Sequence, residues 1–396
     1  MPQTISTVAT TGCPDYQPEN VHRAVETILS ELGPLPLRPG DRVLLKPNCL
    51  SAHHGPERPI NTRAEIVEAV GRHLLDRYPI KLLIADSGGM GSYGKTKRGY
   101  ALMGLDRVAA ELGADLINLE GFGLCECPNP EGRIITTFKA TSLVEQVEAI
   151  VNIPKLKTHM LTGLTGAVKN VLGLLPGSLK RAVHVTAPTG SAMAQALVDI
   201  YGGIQKKAPL VLHVLDGTIA MEGMGPSNGQ ARHTGWLLAS IDPVALDATG
   251  ATIMGFNPLK LSLLIQADAA GLGLADPGRI RLIGADWPEL PVPGFRHPFT
   301  RTREWIEGFV PETWLGQVFN RLNESKPKIK IERCQQCGQC QEACPARALN
   351  MTETGLQLNR DLCIECYCCL EHCPHEGLFV PRGWWERIKR RHSSTA

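Results

Sequence analysis

Through residues 1–285, short apolar runs alternate with stretches whose apolar positions recur at helical spacing. Glu19–Leu32 carries Val21, Val25, Ile28 and Leu32 on one helical face, and Thr62–Tyr78 carries Ile66, Val70 and Leu74. Asp106–Leu112 and Ala192–Ile204 have the same period, and a further helix is predicted from Pro243. Between them, Arg42–Lys46, Leu82–Ala85, Leu116–Leu119, Val147–Ile153, Leu210–Leu215 and Trp236–Ile241 are short and apolar enough to be buried strands. Alternation of this kind predicts a large α/β domain around a mostly parallel sheet. Ligands of such sheets sit beyond the carboxyl ends of the strands. Asn48, Asp86, Lys155, Asp216 and Asp242 each closely follow a predicted strand, so they are candidates to line one crevice.

The pattern breaks at residue 286. Prolines at 288, 291, 293, 298, 311 and 327 predict a connector over 286–328, packed along both neighbours and anchored by Trp305 and Trp314. A small cysteine-rich α+β domain is predicted over 329–381. The basic tail at 382–396, with Trp384 and Trp385, reads as a solvated terminal helix with its Trp pair on that domain.

Composition narrows the function classes. A net charge of +2 gives no global argument for nucleic acid or a membrane surface. The longest apolar runs, Val171–Pro176 and Leu210–Leu215, are far too short for a transmembrane span. Met1-Pro2-Gln3-Thr4 lacks the basic and apolar regions of a secretory signal, so the expectation is a cytoplasmic protein. Nine of the 13 cysteines fall between Cys334 and Cys373. In a reducing compartment that density points to metal ligation instead of disulfides.

Two runs share the spacing C-x2-C-x2-C-x3-C-P: Cys334, Cys337, Cys340, Cys344 and then Cys363, Cys366, Cys369, Cys373. Three closely spaced thiolates can cap three irons of one cubane, and the fourth serves the other cluster. The expected sets are therefore Cys334, Cys337, Cys340, Cys373 and Cys363, Cys366, Cys369, Cys344, with Cys368 left as a free thiol. This is the pattern of a bacterial-type ferredoxin with two [4Fe–4S] clusters; zinc could use the same thiolates, but tandem runs of this spacing favour iron–sulfur. Between the runs, Ala348–Met351, a Glu-Thr-Gly turn and Leu356–Leu358 predict a hairpin. Ile329–Ile331 and Leu378–Val380 predict a matching outer pair. Residues 331–380 hold seven acids and three bases, a surface that suits an electron carrier.

In the large domain, Lys155, Lys157, His159 and Lys169 gather positive groups around Gly163 and Gly166, whose amides would open a helix. That combination builds anion sites, and Lys180 and His184 extend it; a solvated basic face is the alternative. Asp216 and Glu222, the latter in a Gly-rich loop, and Asp242 and Asp247 are the acidic counterpart, able to hold Mg2+ or move protons. N-caps and turns are the alternative use, above all for Asp242 before Pro243. Gly89–Thr96 also fits the spacing of a P-loop, with Asp216 as the acid such a site needs, although Gly99 interrupts the helix that should follow.

Lys46-Pro47-Asn48, Asp86-Ser87-Gly88-Gly89, Pro154–His159, Gly166–Asn170 running to Pro176-Gly177, Asp216–Gly229 and Asp242–Asp247 together resemble the family called domain of unknown function 362. The likeness spans residues 40–255. It implies an iron–sulfur protein with a C-terminal two-cluster ferredoxin and names no substrate. The predicted function is an iron–sulfur oxidoreductase passing single electrons between two [4Fe–4S] clusters and an anionic ligand or cofactor in the α/β domain, with a protein redox partner and no nucleic acid. Two alternatives stand beside it: a non-enzymatic electron-transfer or adaptor protein, and an ATP-coupled reductase using Gly89–Thr96.

Overall fold

The computed structural model describes residues 5–298 and 326–381. The expectations for Trp305, Trp314 and the basic tail lie outside the described residues.

Ten strands form the main sheet. Its path runs β12 (Ile280–Ile283), β1 (Ser6–Gly12), β11 (Gln230–Ser240), β10 (Leu210–Glu222), β7 (Ala149–Ile153), β2 (Arg42–Pro47), β3 (Lys81–Asp86) and β4 (Asp115–Asn118). All run parallel except β11. A separate hairpin joins β5 (Leu124–Pro128) to β6 (Thr137–Thr141). Strand periodicity decides which residues meet which layer. Val43 and Leu45 face one core with α1 (Pro18–Leu32), α2 (Ala64–Arg77) and α4 (Leu105–Leu112); Leu44 faces the other with α7 (Gly190–Lys207), α8 (Pro243–Ile253) and α9 (Ser262–Ala269). Helix α3 (Thr96–Met103) leads directly into α4.

Two strands are longer than their apolar runs suggest. Past Pro154 the chain continues as β8 (Lys155–His159), which pairs with the second half of β10 and with the short β9 (Gly163–Thr165). The polar halves of β8 and β10 are strand because each supplies the other's backbone partners. They carry functional side chains beyond the sheet's carboxyl edge.

The antiparallel course of β11 corrects one expectation. Asp242 follows β11, so it lies at the opposite end of the sheet from Asp86 and Asp216. There it caps α8, accepting from Val244 N (2.8 Å) and Ala245 N (2.9 Å). The described start of the connector, residues 286–298, also belongs to the large domain: Leu290 and Phe295 are in its core.

A second correction concerns Gly163–Gly166. Helix α5 (Ala167–Asn170) does begin there, but its first amides already hold an anion. Asp247 of α8 accepts from Ala167 N (2.5 Å) and Val168 N (3.0 Å). Burial raises this carboxyl to about 7, against the pull of the two amides. The chain then enters α6 (Ser178–Thr186).

The cysteine-rich module has the predicted hairpins. β13 (Lys328–Ile329) pairs with β16 (Leu378–Phe379), and β14 (Leu349–Thr352) with β15 (Gly355–Leu358). Two one-turn helices, α10 (Gln339–Glu342) and α11 (Cys368–Glu371), carry the third cysteine of each run, Cys340 and Cys369. Among the described residues, no helix is long and apolar enough to cross a membrane.

A Cβ on Gly166 would stand 2.0 Å from Asp247 Oδ1, an oxygen fixed by its amide bond. Gly166→Ala should destabilise the protein by about 1–3 kcal/mol in urea unfolding. Gly12→Ala, with open space around it, should change stability by less than about 0.5 kcal/mol.

Candidate functional site

Strand β8 alternates, so Lys155, Lys157 and His159 share one face, and all three are buried. An unpaired ammonium would not persist there. Lys155 Nζ lies 2.9 Å from Asp216 Oδ2 and donates to Tyr16 OH (2.7 Å). Tyr16 OH donates in turn to Asp216 Oδ1 (2.8 Å) and accepts from Ile219 N (3.1 Å). Lys157 Nζ donates to Asn48 Oδ1 (2.6 Å) and Ile60 O (2.7 Å). Asn48 then begins a buried polar chain through Asn170 (3.0 Å), Asn152 (2.7 Å) and His213 (3.0 Å).

His159 ends the row. Its Nδ1 accepts from Leu161 N (3.1 Å) and Thr162 N (3.2 Å), which leaves the proton on Nε2. Nε2 faces Glu371 Oε1 at 3.6 Å. Glu371 belongs to the cysteine-rich module, at the end of α11, so the module forms one wall of the site. Lys169 and His184 complete the surroundings: both lie within electrostatic range of His159, and Lys169 also of Glu371. Burial pushes His159 well below the ordinary imidazole range, helped by Lys169 and His184. Burial, with Lys169 next, takes His184 down to about 3. Burial raises Glu371 to about 7, opposed by Lys169 and Lys157. Lys157 is depressed by burial and by Lys169.

Direct bonds lock the module in place. Arg181 donates to Glu342 O (3.0 Å) and Cys344 O (2.5 Å), and Asn228 to Leu370 O (2.5 Å). Met160 of the large domain packs among Cys340, Cys344, Tyr367 and Cys369.

The cysteines of the two runs crowd together. Burial pushes the Cys340 thiol up to about 12, and Cys373, Cys337 and Cys334 add to the shift. Cys369 is raised well above its ordinary value by burial, Cys366, Cys344, Cys363 and Cys340. All are free thiols. The two runs share unusual backbone at matching places: positive φ at Gln336 and Glu365, at Gly338 and Tyr367, and at Arg347 and Glu376. Ala348 N donates to Cys344 Sγ and Gly377 N to Cys373 Sγ, both at 3.2 Å. Thiols crowded so closely without disulfides suit a cationic centre that stabilises thiolates.

The model of the family described as domain of unknown function (DUF362) matches residues 43–252. The chain belongs to this family. A 4Fe-4S dicluster domain matches residues 327–376. A thylakoid-associated protein of Synechocystis sp. is 30% identical over 266 residues, 65% of this chain and 77% of that protein. Two solved structures resemble it more distantly. A Thermotoga maritima protein has 13% identity, covers 66% of this chain and 60% of its own, and has a TM-score of 0.39. The lactate racemase apoprotein of Thermoanaerobacterium thermosaccharolyticum has 14% identity, 64% and 58% coverage, and a TM-score of 0.36. This chain thus spans about three-fifths of either structure.

Within the DUF362 domain, the predicted residues divide. Lys157, His159, Lys169 and His184 come together under α11. Lys155 and Asp216 neutralise one another one step back along β8. Glu222 does not join them: it binds Arg296 N (3.0 Å) and Arg296 Nε (2.8 Å), fastening residue 296 to β10. Lys180 is also committed, donating to Ser87 O, Ser87 Oγ and Gly88 O at 2.6–2.8 Å.

Gly89–Thr96 is not shaped as a P-loop. Several of its amides are taken: Gly89 N donates to Leu50 O, Ser92 N to Gly89 O, Lys95 N to Ser92 O, and Gly94 N to the Glu120 carboxylate. Asp216, proposed as its acid, is bound to Lys155. The glycines serve a different contact, because Cβ atoms at Gly89 and Gly91 would stand 2.8 Å and 2.4 Å from the His372 ring. Sequence reasoning missed Glu371, His372 and Tyr16. Glu371 and His372 lie between ligand-spaced cysteines, and nothing local signals that they face another domain.

Asp216→Ala strands Lys155 without its counter-charge and should cost about 3–5 kcal/mol in urea unfolding. Tyr16→Phe should cost less, about 1–3 kcal/mol. Equal and negligible losses would contradict the assigned pairing.

Proposed function

We propose that this DUF362 protein is an iron–sulfur oxidoreductase in which two [4Fe–4S] clusters exchange single electrons with an anionic ligand bound beside Lys157, His159 and Lys169. The observation that carries this reading is the position of Glu371. It follows Cys369 by two residues and precedes Cys373 by two, yet its side chain is buried against the basic residues of the other domain. A ligand at those residues would therefore touch the same short helix that carries cluster ligands.

The residues have separable roles. Cys334, Cys337, Cys340 and Cys373 would hold one cluster, and Cys363, Cys366, Cys369 and Cys344 the other. Cys368 donates weakly to Cys366 O (3.8 Å) and is left as a buried thiol. Lys169 supplies positive charge at the ligand, and Lys157 adds to the field while anchored by Asn48. His159 offers an N–H of fixed direction. The backbone amides on Cys344 and Cys373 stabilise sulfur charge. A protein redox partner would meet the module at its far side, where Cys337 is exposed. A reducing, cytoplasmic setting would suit the iron–sulfur module. With Gly89, Ser92, Gly94 and Lys95 amides bonded within the fold and Asp216 paired to Lys155, nothing in this loop favours ATP coupling.

Anaerobic reconstitution tests the assignment. Wild type should take up iron and sulfide for two four-iron clusters and show a low-potential EPR signal after dithionite reduction. Cys344→Ala and Cys373→Ala should each lose most of one cluster, whereas Cys368→Ser should retain both. Full iron content in the first two variants, or zinc in place of iron after anaerobic isolation, would overturn it.

A further inference from the structure

Four of the 13 cysteines lie outside the ferredoxin module, and two of these are side by side. Strand β5 carries Cys125 and Cys127 two positions apart, so their side chains share one face. The two sulfurs stand 4.0 Å apart. Across the hairpin they face Ala140 and Phe138 of β6, and neither of those brings a sulfur. Two thiols fall short of the four that an iron–sulfur cluster takes.

The pair is asymmetric. Cys127 is fully buried in the core that α7 shares, whereas Cys125 is partly exposed between the exposed Leu124 and Glu126. The Cys125 thiol donates weakly to Thr141 O (3.6 Å). Lys207 of α7 and Glu145, joined at 2.6 Å, lie within electrostatic range of both sulfurs. A sulfur reachable from solvent with a second sulfur behind it is the arrangement in which an adduct on the first is resolved by the second.

The backbone sets how stable the resulting bridge is. A strand rises about 3.3 Å per residue, which puts the two Cα atoms about 6.6 Å apart, near the upper end of what a disulfide spans. A bridge can close there only against strain, and strained bridges are readily reduced.

We infer that Cys125 and Cys127 form a reversible dithiol–disulfide couple on the DUF362 domain, oxidised by small-molecule disulfides such as oxidised glutathione. The Cys125 thiolate attacks one sulfur of that disulfide and releases one glutathione thiolate. Cys127, once deprotonated, attacks the Cys125 sulfur of the mixed disulfide and releases the second. The two protein thiols give up two electrons and two protons, and the small disulfide becomes two thiols. Burial raises both protein thiols, Cys127 up to about 12, so the exchange is slow at neutral pH.

Peptide mapping tests the couple directly. The anaerobically reconstituted full chain is equilibrated overnight with oxidised glutathione at mildly alkaline pH, quenched with acid, alkylated and digested with trypsin. The tryptic peptide 108–133 holds Cys125 and Cys127 and no other cysteine. In wild type, most of this peptide should be lighter by two hydrogens, resist alkylation and carry no glutathione. Dithiothreitol should restore both thiols. Unchanged iron and sulfide content would show that the cluster cysteines take no part. Cys127→Ser should stop at a glutathione adduct on Cys125, and Cys125→Ser should give neither product. A persistent glutathione adduct in wild type would overturn the pairing of the two sulfurs. Both thiols still free in wild type after equilibration would overturn the couple altogether.

Discussion

Buried ammonium groups set the terms on which this chain folds. Lys46, Lys155, Lys157 and Lys180 are all removed from solvent, and a cation in that position needs an opposite charge or several oxygens. Lys46 has Asp86 at 2.8 Å, Lys155 has Asp216 and Tyr16, Lys157 has Asn48 and Ile60, and Lys180 has three oxygens of Ser87 and Gly88. These partners come from separate segments. Satisfying them draws the ends of β2, β3, β8 and β10 together and fixes the sheet's carboxyl edge as one polar layer. Lys169, partly accessible, has no such partner among the described residues.

The ferredoxin module is part of that layer. Its helices α10 and α11 face the large domain, with Arg181 and Asn228 bonded to the backbone around them. His372 packs on the backbone of Gly89 and Gly91, and Glu371 enters the basic cluster. The same α11 turn that carries cysteines of the second run on one side therefore presents Glu371 to His159 on the other. Direct hydrogen bonds join the ferredoxin-like module to the DUF362 domain.

Much of this was legible in the chain. Helical and strand periods located most core elements, because burial on two sheet faces imposes them. The cysteine spacing pointed to the module, its hairpin and its outer strand pair. The basic residues of 155–169 were visible, but their individual duties were not. Whether a buried lysine is free or paired depends on Asn48, Tyr16 and Asp216, which lie far away in sequence. Strand β8 was also hidden, since its side chains are polar and its pairing comes from the extended half of β10. The letters of Gly89–Thr96 suggested phosphate, whereas the glycines there make room for His372. Glu371 was the largest omission: a glutamate between cysteines looks like surface until the opposite domain is in place.

The central claim is that an anionic ligand binds beside Lys157, His159 and Lys169, next to the iron–sulfur module. An anaerobic crystal structure of the cluster-loaded protein tests it most directly. The expected result is a cluster on each of the two thiol sets, with a bound anion beside Lys157, His159 and Lys169. Lys169 turned into a direct ion pair with Glu371, with no anion bound, would contradict it.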